Sequence, residues 1–333
     1  MAKGQWLRVV IVDIVLIAFP GSVSATNRTA MWWLASYSSD DAAENAQAVA
    51  AASGMVGAIL HCCTGPNMAP NGSIVTDAAQ TQAFRTLVAA DRAAAPAAPI
   101  FFPLSPNTAA VLSGVAANGI SSLLLLAEGL GCDGFVVDYE PHTNATQAHA
   151  EAFAGFLAKL SGALHSAKLR LYLCVSDWGV LNDYSVLARA NADLYISMSD
   201  TYGGQAPGYI LQAKLAVKRM QATFPRGTVA VGIGTVAPAA CHCLFGNTGN
   251  CTGDYAWTQA SLSSFLSWIG SQGIDQLAVW RTDIYPRYCT SGGGIEAWMY
   301  SELRRFVSGD ERTYLMPSDR QRSLVMAAGR LLK

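Results

Sequence analysis

Eight short runs of apolar, β-branched and aromatic residues recur along the chain, each followed by a turn and then by an alanine- or leucine-rich stretch with helical spacing. The runs cover 31–37, 55–62, 99–104, 134–140, 169–175, 193–198, 228–234 and 276–281. The helical stretches between and after them cover 40–53, 77–94, 107–130, 145–166, 183–190, 208–223, 258–272 and 294–307. Strict alternation predicts parallel strands, because each helix carries the chain back to the end of the sheet from which the next strand starts. Run centres lie roughly 25 to 45 residues apart, the size of a strand–helix repeat. Eight such repeats predict an α/β fold, a single-domain (β/α)8 TIM barrel without a large insertion domain. Of the 333 residues, 51% are hydrophobic and 14% charged, which suits one large buried core. A doubly wound open sheet shares the alternation. It lacks support here, because Gly232-Ile233-Gly234 has no third glycine and leads to Pro238 rather than into a helix.

The first residues read as a leader. Lys3 and Arg8 precede an apolar stretch over 9–19, and the small residues Val23 and Ala25 form a cleavage site, so 1–25 is expected to be a secretory signal peptide and the mature chain to begin near Thr26. The barrel is then expected over 26–308 and a C-terminal tail over 309–333. The stretch is shorter than the roughly 20 residues a spanning helix needs, so no membrane span is expected in the mature form. Asn27, Asn71, Asn144 and Asn250 each open an N-x-S/T acceptor triplet. Eight cysteines, an even number, agree with an oxidising compartment and with disulfides. These features predict a glycoprotein of the secretory pathway, secreted or lysosomal or vacuolar. Cys241-His242-Cys243 with Cys251 lacks the paired spacing of a zinc site, so neither metal nor cofactor is expected. The formal net charge of −1 gives no footprint for nucleic acid.

The fourth run carries the chemistry. It reads Asp133-Gly134-Phe135-Val136-Val137-Asp138-Tyr139-Glu140-Pro141, and a period of two puts Val136, Asp138 and Glu140 on one face. That face should point into the barrel, where carboxylates are costly to desolvate and need either partners or a function. Glu140 would be topmost, at the C-terminal face where such barrels place their active sites. A pair of close carboxylates, one of which holds a proton, is what general-acid cleavage of a glycosidic bond requires.

The run resembles the D-x-x-D-x-D-x-E motif of glycoside hydrolase family 18, the chitinases and their relatives including di-N-acetylchitobiase. Asp133, Asp138 and Glu140 match the first, third and fourth acidic positions, and Val136 stands in place of the second. Met198-Ser199-Asp200-Thr201-Tyr202-Gly203-Gly204, after the sixth run, resembles the family's M-x-Y-D segment, with Asp200 at the tyrosine position and Thr201 at the aspartate position. Ala278-Val279-Trp280-Arg281, in the eighth run, resembles the segment whose tryptophan floors the reactive sugar.

This resemblance implies a hydrolase of β-linked N-acetylglucosamine in a chitooligosaccharide or related glycan, acting by substrate-assisted retention. Glu140 would serve as acid and base and Asp138 would assist the acetamido group. Trp280, Asp200, Tyr202, Tyr37 and Asp133 are the candidate substrate-binding residues. The short interval 235–257 between the seventh run and its helix implies a shallow mouth and short substrates. Two other functions stay open: a non-catalytic chitinase-like sugar-binding protein, or a conventional glycosidase that pairs Glu140 with Asp177, Asp200 or Asp283.

Overall fold

The structure, a computed structural model, describes residues 28–35, 39–62, 65–140, 146–177, 179, 183–198, 207–234, 257–280, 295 and 297–310. Eight of its strands close into a parallel barrel. In chain order they are β1 (Thr29–Ala35), β2 (Val56–Cys62), β5 (Ile100–Leu104), β6 (Gly134–Val137), β7 (Arg170–Val175), β8 (Leu194–Ser197), β9 (Val229–Gly234) and β10 (Gln276–Trp280), with β10 pairing back onto β1. Two short strands, β3 (Asn67–Met68) and β4 (Ile74–Val75), form a separate antiparallel hairpin after β2.

Nine helices pack around the barrel: α1 (Ala42–Ala51), α2 (Ala78–Ala94), α3 (Thr108–Leu112), α4 (Ile120–Leu130), α5 (Gln147–Ser166), α6 (Tyr184–Leu187), α7 (Pro207–Thr223), α8 (Gln259–Ser271) and α9 (Ala297–Ser308), counted among the described residues. Their starts follow from side-chain chemistry. Asp77, Asn107, Thr146, Asp183 and Thr258 each accept a backbone N–H of the first turn that would otherwise lack a partner.

Each predicted run overlaps a barrel strand, the first beginning two residues late against β1 and reaching past the described residues at 36–37, and the closed order removes the open-sheet alternative. Two local differences have clear causes. The single helix expected over 107–130 is broken, because Gly114 adopts a left-handed φ of 77° and a 3-10 turn (Val115–Gly119) intervenes before α4. The hairpin of β3 and β4 was not expected. It turns through Asn71, whose Oδ1 accepts from Ser73 N at 3.0 Å.

The parity of each strand sorts its side chains into two shells. Trp32, Phe102, Phe135 and Tyr195 pack outward against Phe84, Phe153 and Phe265 of the helices and Phe224 just past the end of α7. Met31, Trp33, Leu60, Phe101, Val136, Tyr172, Cys174 and Ile196 fill the barrel itself. Phe101 and Tyr172 stack there with ring centroids 4.0 Å apart. Such layering is how a closed eight-stranded barrel avoids an empty centre. Among the described residues no helix is long and apolar enough to cross a membrane.

Candidate functional site

The site begins with β6. α4 ends where Gly131 takes a left-handed φ of 70° and its N–H returns to Ala127 O. Gly134 then opens a strand whose Phe135, Val136 and Val137 suit a pleated, buried position. The chain leaves the ladder after Val137 and delivers Asp138 and Glu140 to the C-terminal mouth, both on the same side as Val136. The inward face predicted for these residues is thus the one observed: Val136 is fully buried among the barrel's inner residues, and Asp138 and Glu140 line a cavity above them.

Other strand ends complete that cavity. Trp33 comes from β1, Cys174 from β7, Ser197 and Met198 from the end of β8, Gly232 from β9, and Ala278 and Trp280 from β10. Its volume of about 20 Å³ is room for about one water molecule. Gly232 and Ala278 leave space opposite the acids, where larger inward side chains would fill it. Trp280 meets Trp33 edge to face, ring centroids 5.3 Å apart, so two indoles form one aromatic wall. The Cys174 thiol is pushed well up by burial, reinforced by the nearby carboxylates of Asp138 and Glu140, which keeps it protonated at neutral pH.

Among the sequence-predicted residues, Asp138, Glu140 and Trp280 come together at this mouth. Asp133 does not join them. It lies before the first residue of β6, at the opposite end of the strand, where its Oδ2 accepts from Arg92 Nη2 at 2.6 Å and from Ile100 N at 2.7 Å. These bonds make it a tie between α2 and the start of β5 rather than a sugar contact. Asp177, a partner in the conventional alternative, is absent from the cavity lining; it accepts from Gln212 Nε2 of α7 and borders a separate groove. Tyr37, Asp200, Tyr202, Asp283 and the sequon at Asn144 lie outside the described residues.

Sequence reasoning passed over Trp33 and Cys174. A tryptophan in an apolar strand reads as core, and only its parity with Met31 points inward. Among the described cysteines, Cys132 and Cys174 are buried free thiols rather than members of a disulfide. The Cys132 thiol is pushed up to about 11 by burial, opposed by a hydrogen bond with Gly134. Cys63, Cys241, Cys243, Cys251 and Cys289 lie outside the described residues, as do the leader and three of the four sequons. The remaining sequon residue, Asn71, is exposed on the hairpin turn.

A larger recess of about 640 Å³ opens at the N-terminal end of the barrel, bordered by Gln221, Arg226, Gln272 and Asp275. Size alone does not make it the reactive site. The ends of strands that carry chemistry in this architecture are the C-terminal ones, and the paired acids stand there.

No family model matches the chain, and no curated relative matches it. Its fold, however, is shared with many solved structures. The chitinase from Chromobacterium violaceum aligns with a TM-score of 0.59 at 14% identity, covering 84% of this chain and 99% of that one. YKL-39, solved in the presence of chitooligosaccharides (GlcNAc4), aligns with a TM-score of 0.61 at 13% identity, with coverage of 84% and 99%. The family 18 chitinase ChiB from the chitin utilization locus of Flavobacterium johnsoniae gives 0.59 at 12% identity, with coverage of 84% and 94%. The barrel described above is therefore the fold of the glycoside hydrolase family 18 chitinases and chitinase-like proteins.

Proposed function

We propose that this protein is a secreted glycosidase that cleaves β-linked N-acetylglucosamine in chitooligosaccharides or related glycans by substrate-assisted retention. The observation that carries the reading is the convergence of Asp138, Glu140 and Trp280 on one cavity at the C-terminal mouth. Trp33 widens the aromatic wall against which a sugar ring can stack. The leader over 1–25 and the four sequons support secretion.

In this mechanism the carboxylic acid of Glu140 gives its proton to the glycosidic oxygen as the bond from that oxygen to the anomeric carbon breaks. The carbonyl oxygen of the substrate's own acetamido group attacks the anomeric carbon from the opposite side and closes an oxazolinium ring. Asp138 accepts a hydrogen bond from the acetamido N–H and offsets the positive charge that develops there. The Glu140 carboxylate then takes a proton from a water whose oxygen bonds to the anomeric carbon as the bond from that carbon to the acetamido oxygen breaks, which regenerates the acetamido group and leaves the β configuration retained.

The mature protein assayed on chitooligosaccharides beside Glu140→Gln tests this reading. Turnover should fall about 10²- to 10⁴-fold in the variant, the range for loss of a general acid. A thiazoline analogue of the intermediate should inhibit the wild type. Equal rates in both forms would remove Glu140 from the mechanism. A second reading rests on Val136, which puts an apolar group where the motif has an aspartate. If sugar binds without turnover by either form, the protein is a chitinase-like sugar-binding protein.

A further inference from the structure

The side chain between the two acids turns away from the cavity, and it does so with unusual support. β6 ends at Val137. The sheet's grip continues to Asp138, whose N–H donates to Leu104 O at 3.2 Å and whose carbonyl accepts from Ser105 Oγ at 2.8 Å. Beyond that point Tyr139 ties the chain down. Its ring packs on Phe153 of α5, centroids 4.7 Å apart. Its hydroxyl lies 2.9 Å from Thr108 Oγ1 of α3 and 2.7 Å from His149 Nε2 of α5. Tyr139 and His149 are each 3% exposed.

The partners are themselves fixed. Asn107 Oδ1 accepts from Ala109 N and Ala110 N at the start of α3, and the N–H of His149 donates to Thr146 Oγ1 at the start of α5. Either proton arrangement closes the group of three. Tyr139 can donate to His149 and accept from Thr108, or accept from His149 and donate to Thr108. A buried hydroxyl satisfied on two sides, on the residue between two mouth acids, does more than fill space.

We propose that the Tyr139 hydroxyl, gripped by Thr108 and His149 behind the strand, is the positioning device that holds Glu140 at the mouth. The inference rests on the reading of Glu140 as proton donor. Once a strand leaves its ladder, its backbone can pivot. A displacement of about 1 Å at a reacting group costs on the order of 10²-fold in rate. Tyr139 and His149 thus act as positioning residues: they touch neither the sugar nor the scissile bond, and they act through the backbone they immobilise.

Steady-state kinetics of the full-length protein on a chitooligosaccharide, compared with Tyr139→Phe, His149→Leu and His149→Gln, tests this. Tyr139→Phe keeps the ring packing and removes only the hydroxyl. It and His149→Leu should lower kcat about 10- to 100-fold with KM changed less than about 2-fold. His149→Gln, whose amide can donate or accept, should recover part of the loss. An unchanged kcat in Tyr139→Phe, or a change confined to KM, overturns the proposal. Wild type without turnover would instead refute the hydrolase reading. The clamp is then decided by crystal structures of wild type and Tyr139→Phe: a Glu140 carboxylate displaced or disordered over an unchanged barrel supports it, and an unmoved Glu140 overturns it.

Discussion

Val136 is the residue at which this barrel departs most sharply from the acidic motif it resembles. It is fully buried inside the barrel, with Pro103 and Tyr172 as its partners on the neighbouring strands. An aspartate there would need hydrogen-bond donors, whereas the inner layer is mostly apolar, with Phe101, Leu60 and Ile196 beside the Tyr172 hydroxyl and the Cys174 thiol. Val136→Asp should therefore destabilise the fold by about 2–4 kcal/mol, through lost apolar burial and a poorly solvated carboxyl group. Urea unfolding of the variant beside wild type measures this. An unchanged midpoint would mean that water or an unrecognised donor reaches the layer beneath Asp138. The packing accounts for the valine as a satisfied core residue, and the two acids above it depend on groups other than a third carboxylate for their placement.

At the scale of the element, β6 depends on its first residue. A Cβ at Gly134 would lie 2.0 Å from Arg170 O, and Gly134 has a φ of 154°, so β6 and β7 could not keep their register if it were replaced. Gly134→Ala should cost about 2–4 kcal/mol and displace the acids downstream. Gly155 lies in the exposed face of α5 with no atom close to its added Cβ. Gly155→Ala should raise stability by about 0.5–1 kcal/mol, since alanine loses less backbone entropy in a helix. Opposite signs in one denaturation series would separate the close approach from a general intolerance of substituted glycines.

How much could be read in advance divides along the same lines. The strands and their order were legible because alternation with helices leaves few topologies, and the inward face of Asp138 and Glu140 was legible from parity. The break at Gly114 was hidden inside an apolar run, and strands as short as β3 and β4 have too few residues to show a period. Asp133 entered the substrate-binding set on the motif resemblance alone, although its place before Gly134 already sets it at the end of the strand away from the mouth. The Tyr139–His149 pair was invisible for another reason. It joins a strand end to the next helix across a connection whose path only the fold defines.

The whole molecule brings barrel stability and mouth geometry together at His149. Burial holds its imidazole below the usual histidine value, so the neutral form is the one the folded protein favours. An unfolded chain protonates its histidines near pH 6.5. Below that pH it binds a proton that the native His149 resists, so this contribution to stability is fully present above about pH 6.5 and is lost as pH falls from there through the depressed native value. Asp183 behaves in the same direction at lower pH. The Ser185 hydroxyl, followed by a Gln147 side chain and the Val186 amide, stabilises its carboxylate and lowers its pKa against the effect of burial. Its contribution is present above about pH 3.9 and disappears as the carboxylate is protonated. Thermal unfolding measured from pH 8 to pH 3 should therefore show Tm declining first below about pH 6.5 and again below about pH 4. In His149→Gln the first decline should shrink while the second remains, because glutamine does not titrate. An identical first decline in the variant would assign it to other histidines, and would leave the clamp behind Glu140 indifferent to acid.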